Sequence, residues 1–158
     1  MDISFKTEEG RFNYRVCAII INDGKILAMR NERTPYFFLP GGRVAMNEIV
    51  EVAVLRELKE ELDIDAEIVR PLWLNQSFFT EDVSKEKFHE LCLYFLMDVT
   101  KTDLLSRGEE FTMYEKNRPL KYKWLEVDKL KDEYFYPTFL KDRILELPET
   151  LTIYTELR

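Results

Sequence analysis

The chain has 158 residues, of which 46% are hydrophobic and 13% aromatic, and a formal net charge of −7. That is enough apolar material to build a core and too much for a disordered chain. The acidic balance argues against a long nucleic acid or an anionic membrane as partner, since both need Lys and Arg to neutralise phosphate. It is compatible with an acidic pocket that gathers divalent cations. No apolar run approaches the ~20 residues of a transmembrane helix. The polar, acidic stretch Met1 to Gly10 does not read as a signal peptide, so the cytoplasm is the expected location. Cys17 and Cys92 each sit in an apolar run and are expected to be buried free thiols.

In chain order, Phe12 to Asn22 is expected to be a strand. Val16, Ala18 and Ile20 alternate with Cys17, Ile19 and Ile21, so both faces should be buried. Asn22-Asp23-Gly24 is a hairpin signal, and Lys25 to Arg30 returns as a second strand. Asn31 to Pro35 is loop-like. Tyr36 to Leu39 is an aromatic run ending in Pro40-Gly41-Gly42, where adjacent glycines should stop a strand and permit close backbone approach. Asn47 is a plausible N-cap for a helix from Glu48 to about Leu62. Ile64 to Pro71 is a strand candidate, which Leu72 to Phe79 continues or bends away from. Glu81 to Lys87 is a charged loop and Glu90 to Val99 a core strand. Leu104 to Lys116 is expected to be a loop, Lys121 to Val127 a strand, and Pro137 to Leu147 a helix. Leu151 to Leu157 is either a last strand or a loose tail. No repeat, linker or boundary interrupts residues 1–158, so one mixed α/β domain is expected.

The sharpest feature is the helix after Gly42. Glu57, Glu60 and Glu61 are spaced i, i+3, i+4 and share one face, while Leu55, Leu58 and Leu62 form a stripe that should anchor the helix. Carboxylates so close repel one another, the more so if partly buried. A divalent cation would relieve that repulsion, and magnesium is commonly shared between carboxylates and substrate phosphates. With Arg56 and Lys59 beside them, the same glutamates would also suit an ordinary solvated face.

The neighbourhood of the helix adds a resemblance. Gly42 to Ile64 is similar to the Nudix box, G-x5-E-x7-R-E-U-x-E-E-x-G-U, where U is a bulky apolar residue. Gly42, Glu48, Arg56, Glu57, Leu58, Glu60, Glu61 and Ile64 match, and Asp63 stands where the pattern has glycine. That position is expected to be left-handed, which Asp tolerates at a cost of about 1 kcal/mol. The resemblance implies an α/β/α sandwich with a mixed central sheet and the box as a loop-helix-loop.

It also implies a hydrolase that cuts a diphosphate linkage in a nucleoside diphosphate joined to another moiety, such as a nucleoside triphosphate, a nucleotide sugar or ADP-ribose. The alternative is a module that binds a nucleotide without cutting it. By the same resemblance Glu57, Glu60 and Glu61 would bind magnesium or manganese, with Glu61 central. Arg56 would orient Glu57, unless it makes only a surface ion pair. Glu48 would touch metal or support the loop. Gly41 and Gly42 would let the backbone approach metal or phosphates. The metal would activate and align a water, and Glu61, Glu90 or Glu115 would take its proton.

Glu90 is also a candidate substrate contact. His89 would lie near the diphosphate or cap its strand. Tyr36, Phe37, Trp73, Phe78 and Phe79 would either stack on a base or fill the core. Selectivity is expected in Gln76 to Lys87 and Leu104 to Lys116. The implied partner is a small nucleotide-like molecule, and the resemblance leaves room for a homodimer without marking an interface.

Overall fold

The computed structural model describes residues 1–157. A mixed sheet runs through its middle, with strand order β1-β2-β7-β6-β10 and β5 added to β2. These strands are β1 (Ser4–Thr7), β2 (Gly10–Ile19), β5 (Gly41–Arg43), β6 (Glu67–Thr80), β7 (Lys87–Asp98) and β10 (Thr152–Leu157). β2 runs parallel to β7 and β10 parallel to β6; the other pairs are antiparallel. A second sheet has the order β3-β4-β9-β8, built from β3 (Ile21–Asn22), β4 (Lys25–Arg30), β8 (Glu110–Glu115) and β9 (Arg118–Glu126).

The double-sided burial of β2 explains the layering. Val16, Ala18 and Ile20 pack against helix α1 (Val50–Leu62), while Cys17 and Ile19 pack against a 3-10 helix (Val127–Asp132) and helix α2 (Leu140–Arg143). An α/β/α sandwich follows, because a strand apolar on both faces must be covered on both. The two cysteines are buried free thiols with their sulfurs 3.5 Å apart. No helix among the described residues is long and apolar enough to cross a membrane.

Several boundaries differ from the sequence reading. The first strand breaks at Ile20 into β2 and β3, and Asp23 and Gly24 turn the hairpin with φ of 52° and 73°. Gly41 and Gly42 form a short strand instead of stopping one. Asn47 does not cap α1: it turns with φ of 66°, and the helix starts at Val50 with Ile49 at its cap position. Leu104 to Lys116 is not wholly a loop. Its second half is β8, where Phe111 and Met113 reach the core while Thr112 and Tyr114 point away. The C-terminal helix shrinks to Leu140–Arg143, since Leu145 and Glu146 bond three residues back in turn geometry before Pro148. Leu151 to Leu157 contains the last strand, β10, and β6 absorbs both halves of its region with two register shifts.

Candidate active site

Helix α1 carries one of its acids, Glu61, within its buried arc. Leu58 and Leu62 are fully buried as expected, but Leu55 is 37% exposed and Ala53 and Val54 take its place in the core. At about 100° per residue, Glu61 lies only about 20° from Val54 and 60° from Leu58. It is therefore carried inward, to 8% exposure. Two glycines border the acids of this helix. Gly41 N–H donates to Glu61 Oε1 at 2.9 Å, and the second carboxylate oxygen has no hydrogen bond among the described residues. A Cβ on Gly42 would stand 2.3 Å from Glu57 Cδ, so only glycine lets the backbone lie against that carboxylate. Asp63 ends the helix in the left-handed region, φ 53° and ψ 48°, with its N–H on Lys59 O.

Arg56 ties the helix to the loop before it. It grips Glu48 with two donors, at 2.7 and 2.9 Å, and donates to Glu57 Oε1 at 2.9 Å and to the Arg43 carbonyl at 3.1 Å. Its contacts to Glu60 are long, 3.4 Å, and Glu60 is about half exposed. Glu48 Oε1 also accepts the Ala45 N–H. Such charge-assisted, two-pronged bonding fixes geometry as well as adding energy.

The electrostatics differ from acid to acid. Burial pushes Glu61 well above the usual carboxylate range; the nearby Glu57 and Glu115 add to this, against the Gly41 N–H and the positive Arg15. Burial also raises Glu57, and its bond from Arg56 opposes the rise. Glu48 is held down at about 2 by the Arg56 guanidinium. Burial raises the Tyr122 phenol, with Glu61 and Glu115 adding to it, and its hydroxyl donates to the Glu61 carbonyl at 3.2 Å. Among the described residues no three acidic, His or Cys side chains form a ready metal cage.

A cavity of about 300 Å³ opens on the other side of β5, at the low end of the ~300–1,000 Å³ usual for small-molecule sites. Arg15, Arg43 and Glu90 line it, and the buried Asn13, Asn75 and Ser77 line it as well. Burial alone would lower the Arg15 pKa, but Glu90 and the surrounding sulfurs and phenol raise it overall. No carboxylate pairs with Arg15 at ion-pair distance among the described residues. Its charge lowers both Glu57 and Glu61, so Arg15 couples the cavity to the acid helix.

The sequence-predicted residues divide accordingly. Glu57 and Glu61 meet Gly41 and Gly42, with Arg56 and Glu48 behind them and Glu60 at the rim. Glu115 is near Glu61, whereas Glu90 lies in the cavity. His89 is on the opposite face of β7, packed between the rings of Phe12 and Phe78. Tyr36 and Phe79 line the cavity, while Phe37 and Trp73 are core. Of the expected selectivity segments, Ser77 and Phe79 to Asp82 reach the cavity, and nothing from Leu104 to Lys116 does. Asn13 and Arg15 were not singled out from sequence. The signal was there: two polar residues at period two in a strand that is otherwise turning apolar.

A family model described as the NUDIX domain matches residues 11–143. The ADP-ribose pyrophosphatase of Methanocaldococcus jannaschii is 33% identical over 92 residues, which are 56% of this chain and 52% of that protein. The match thus spans about half the length of that curated relative. Among solved structures, a MutT protein from Bacillus halodurans superposes with a TM-score of 0.63 at 14% identity, covering 90% of this chain and 88% of its own. A NUDIX hydrolase from Nitrosomonas europaea gives 0.61 at 15% identity, covering 99% and 94%. A MutT NUDIX hydrolase from Burkholderia pseudomallei gives 0.51 at 25% identity, covering 89% and 90%. With the acid helix seated under Gly41 and Gly42 and the family match spanning most of its length, the chain belongs to the NUDIX domain family.

Proposed function

We propose that this chain is a Nudix hydrolase, that residues 1–158 act as one unit, and that it cuts a diphosphate linkage in a small nucleotide-like substrate with a divalent metal. The observation that carries the reading is Glu61. It is a nearly buried carboxylate with one backbone donor, flanked by Glu57 and Glu115. Left alone, such a group is destabilised by desolvation and like charge.

A hard divalent cation suits an all-oxygen donor set, and magnesium, or manganese in its place, keeps coordination sites for water and phosphate. The residues present fit it. Glu57 and Glu61 would hold the ion, with Glu60 at the rim. Glu48 and Arg56 would set the angle of Glu57, which leaves Glu48 a supporting role in the loop. When bound, the metal lowers the pKa of a water and offsets phosphate charge. Arg15 and Arg43 would hold the diphosphate between the cavity and the helix, and Gly41 and Gly42 would keep the backbone out of its way. A carboxylate, Glu61, Glu90 or Glu115, would accept the water's proton.

The M. jannaschii relative makes ADP-ribose a natural member of the panel to test. Nucleoside triphosphates, nucleotide sugars, dinucleoside polyphosphates and ADP-ribose would be incubated with magnesium, with manganese and with chelator. Metal-dependent release of a nucleoside monophosphate from one class is expected. Nucleotide binding with no turnover anywhere would instead favour a non-catalytic binding module.

A further inference from the structure

The floor of the cavity is short of hydrogen-bond donors. Asn13 on β2 and Asn75 on β6 are 3% and 2% exposed, and the Oδ1 of each is buried without a partner. Their amide orientation is fixed by neighbours: Asn13 Nδ2 donates to Glu90 Oε2 at 3.4 Å, and Asn75 Nδ2 to Glu156 Oε1 at 3.5 Å. Turning either amide over would set a carbonyl against a carboxylate, so the carbonyl is the end left over. Glu156 is itself anchored by the Thr138 hydroxyl and the Phe139 N–H.

The register brings these groups together. Asn13 stands opposite Glu90, and Glu90 opposite Ser77; Asn75 stands opposite Cys92, and Cys92 opposite Arg15. Partners across a sheet share a face, so the rows form one surface under the cavity. Buried carbonyls are rarely left without a donor in native interiors.

Resting on the hydrolase reading, we propose that the buried carbonyls of Asn13 and Asn75 select the substrate's head group, one of them accepting a hydrogen bond from the exocyclic amine of a nucleobase. Adenine and cytosine are then preferred over hypoxanthine and uracil, which carry a carbonyl at the equivalent position and would oppose acceptor to acceptor. Arg15, two residues along β2 from Asn13, puts positive charge between this floor and the acid helix, where phosphates must pass. Tyr36 and Phe79 supply aromatic walls beside a flat base. A site built around a substrate N–H discriminates strongly against the analogue that lacks it.

The test is calorimetric binding of AMP against IMP, and of CMP against UMP, to the wild-type protein in chelator. At least one amine-bearing member is expected to bind ~10-fold or more tightly than its partner. Equal affinities in both pairs, a preference for the carbonyl member, or no binding of any of the four would overturn the proposal. A sugar hydroxyl engaging the same oxygens would give equal affinities within each pair. Asn13→Ala or Asn75→Ala, each checked by thermal melting, should flatten the preference; its survival in both folded variants would also overturn the assignment. If neither variant folds, the wild-type comparison still decides.

Turnover of the same bases as diphosphate compounds with magnesium separates the two readings. Cleavage without base preference keeps the hydrolase and removes the selective floor. Base-selective binding without cleavage does the reverse.

Discussion

Exchanging each glycine of the Gly41-Gly42 pair for alanine should separate chemistry from folding. At Gly42 the new Cβ would meet the end of one side chain, Glu57, at 2.3 Å from Cδ and 2.3 and 2.5 Å from its two oxygens. Ordinary contact begins at 3.4 Å, so the carboxylate must retreat by about 1.1 Å. Glu57 retains some exposure and can rotate, so the fold should lose no more than about 1 kcal/mol, or roughly 2–4 °C in melting temperature. A displacement of that size at a reacting centre typically costs about 10²-fold in rate. At Gly41 the Cβ would instead meet the Val16 carbonyl at 2.2 Å and Cys17 Cα at 2.8 Å. Backbone in the middle of β2 cannot step aside, so Gly41→Ala should cost about 3 kcal/mol or more. Thermal melts in chelator and metal-dependent turnover on one substrate read both effects. Full activity in Gly42→Ala, or a loss of stability in it equal to that of Gly41→Ala, would refute the reasoning.

Glu61→Gln should abolish metal-dependent turnover and leave the fold intact, as circular dichroism and activity together would reveal. Its pH behaviour should also change. The folded pKa of Glu61 is raised, so its stability contribution is complete below the unfolded value of about 4.3 and is lost as pH climbs through the folded value. In chelator, the wild type should therefore lose stability with rising pH relative to Glu61→Gln, and magnesium should restore it; parallel melting curves would count against the buried charge. Glu48 has the opposite sign, since its folded pKa is lowered to about 2. Its contribution is present above about 4.3 and lost as pH falls toward 2. Glu48→Gln should cost about 1–2 kcal/mol at neutral pH, after discounting for the partial exposure of Arg56, and should flatten the acid limb of the urea-unfolding profile. Asp63→Gly should stabilise by about 0.5 kcal/mol, or 1–2 °C, by removing the left-handed penalty at the cost of an exposed pair with Lys59. A destabilised Asp63→Gly would mean the pair matters more than the backbone.

The parts legible in the sequence are those fixed by local spacing. Asp23-Gly24 marked its hairpin through positive φ, Asp63 its left-handed cap, and Val16 to Ile20 a strand covered on both sides. The box paired Arg56 with Glu57, neighbours on one helix, but not with Glu48, whose two-pronged bond to Arg56 depends on how the preceding loop folds back. What helix geometry could not say is which arc turns inward, so Glu61 was placed on a face apart from the leucines when it is buried beside Leu58.

The edge strand β8 was missed because one alternating apolar pair, Phe111 and Met113, is weak against its polar surroundings. The cavity was less legible still. Asn13, Arg15, Asn75, Glu90 and Glu156 come from four strands whose order only long-range pairing decides. Glu156 arrives through β10, which lies parallel to β6 and adds the last strand to the sheet.

The most direct test of the metal-holding acid helix is a manganese titration read by electron paramagnetic resonance, on the wild type, Glu57→Gln, Glu60→Gln and Glu61→Gln without substrate. The wild type should deplete the free-ion signal. Glu61→Gln and Glu57→Gln should weaken binding by ~10-fold or more, with a smaller effect at the half-exposed Glu60. Wild-type affinity in a folded Glu61→Gln would contradict the assignment of Glu61 as a metal ligand and, with it, the chemistry built upon it.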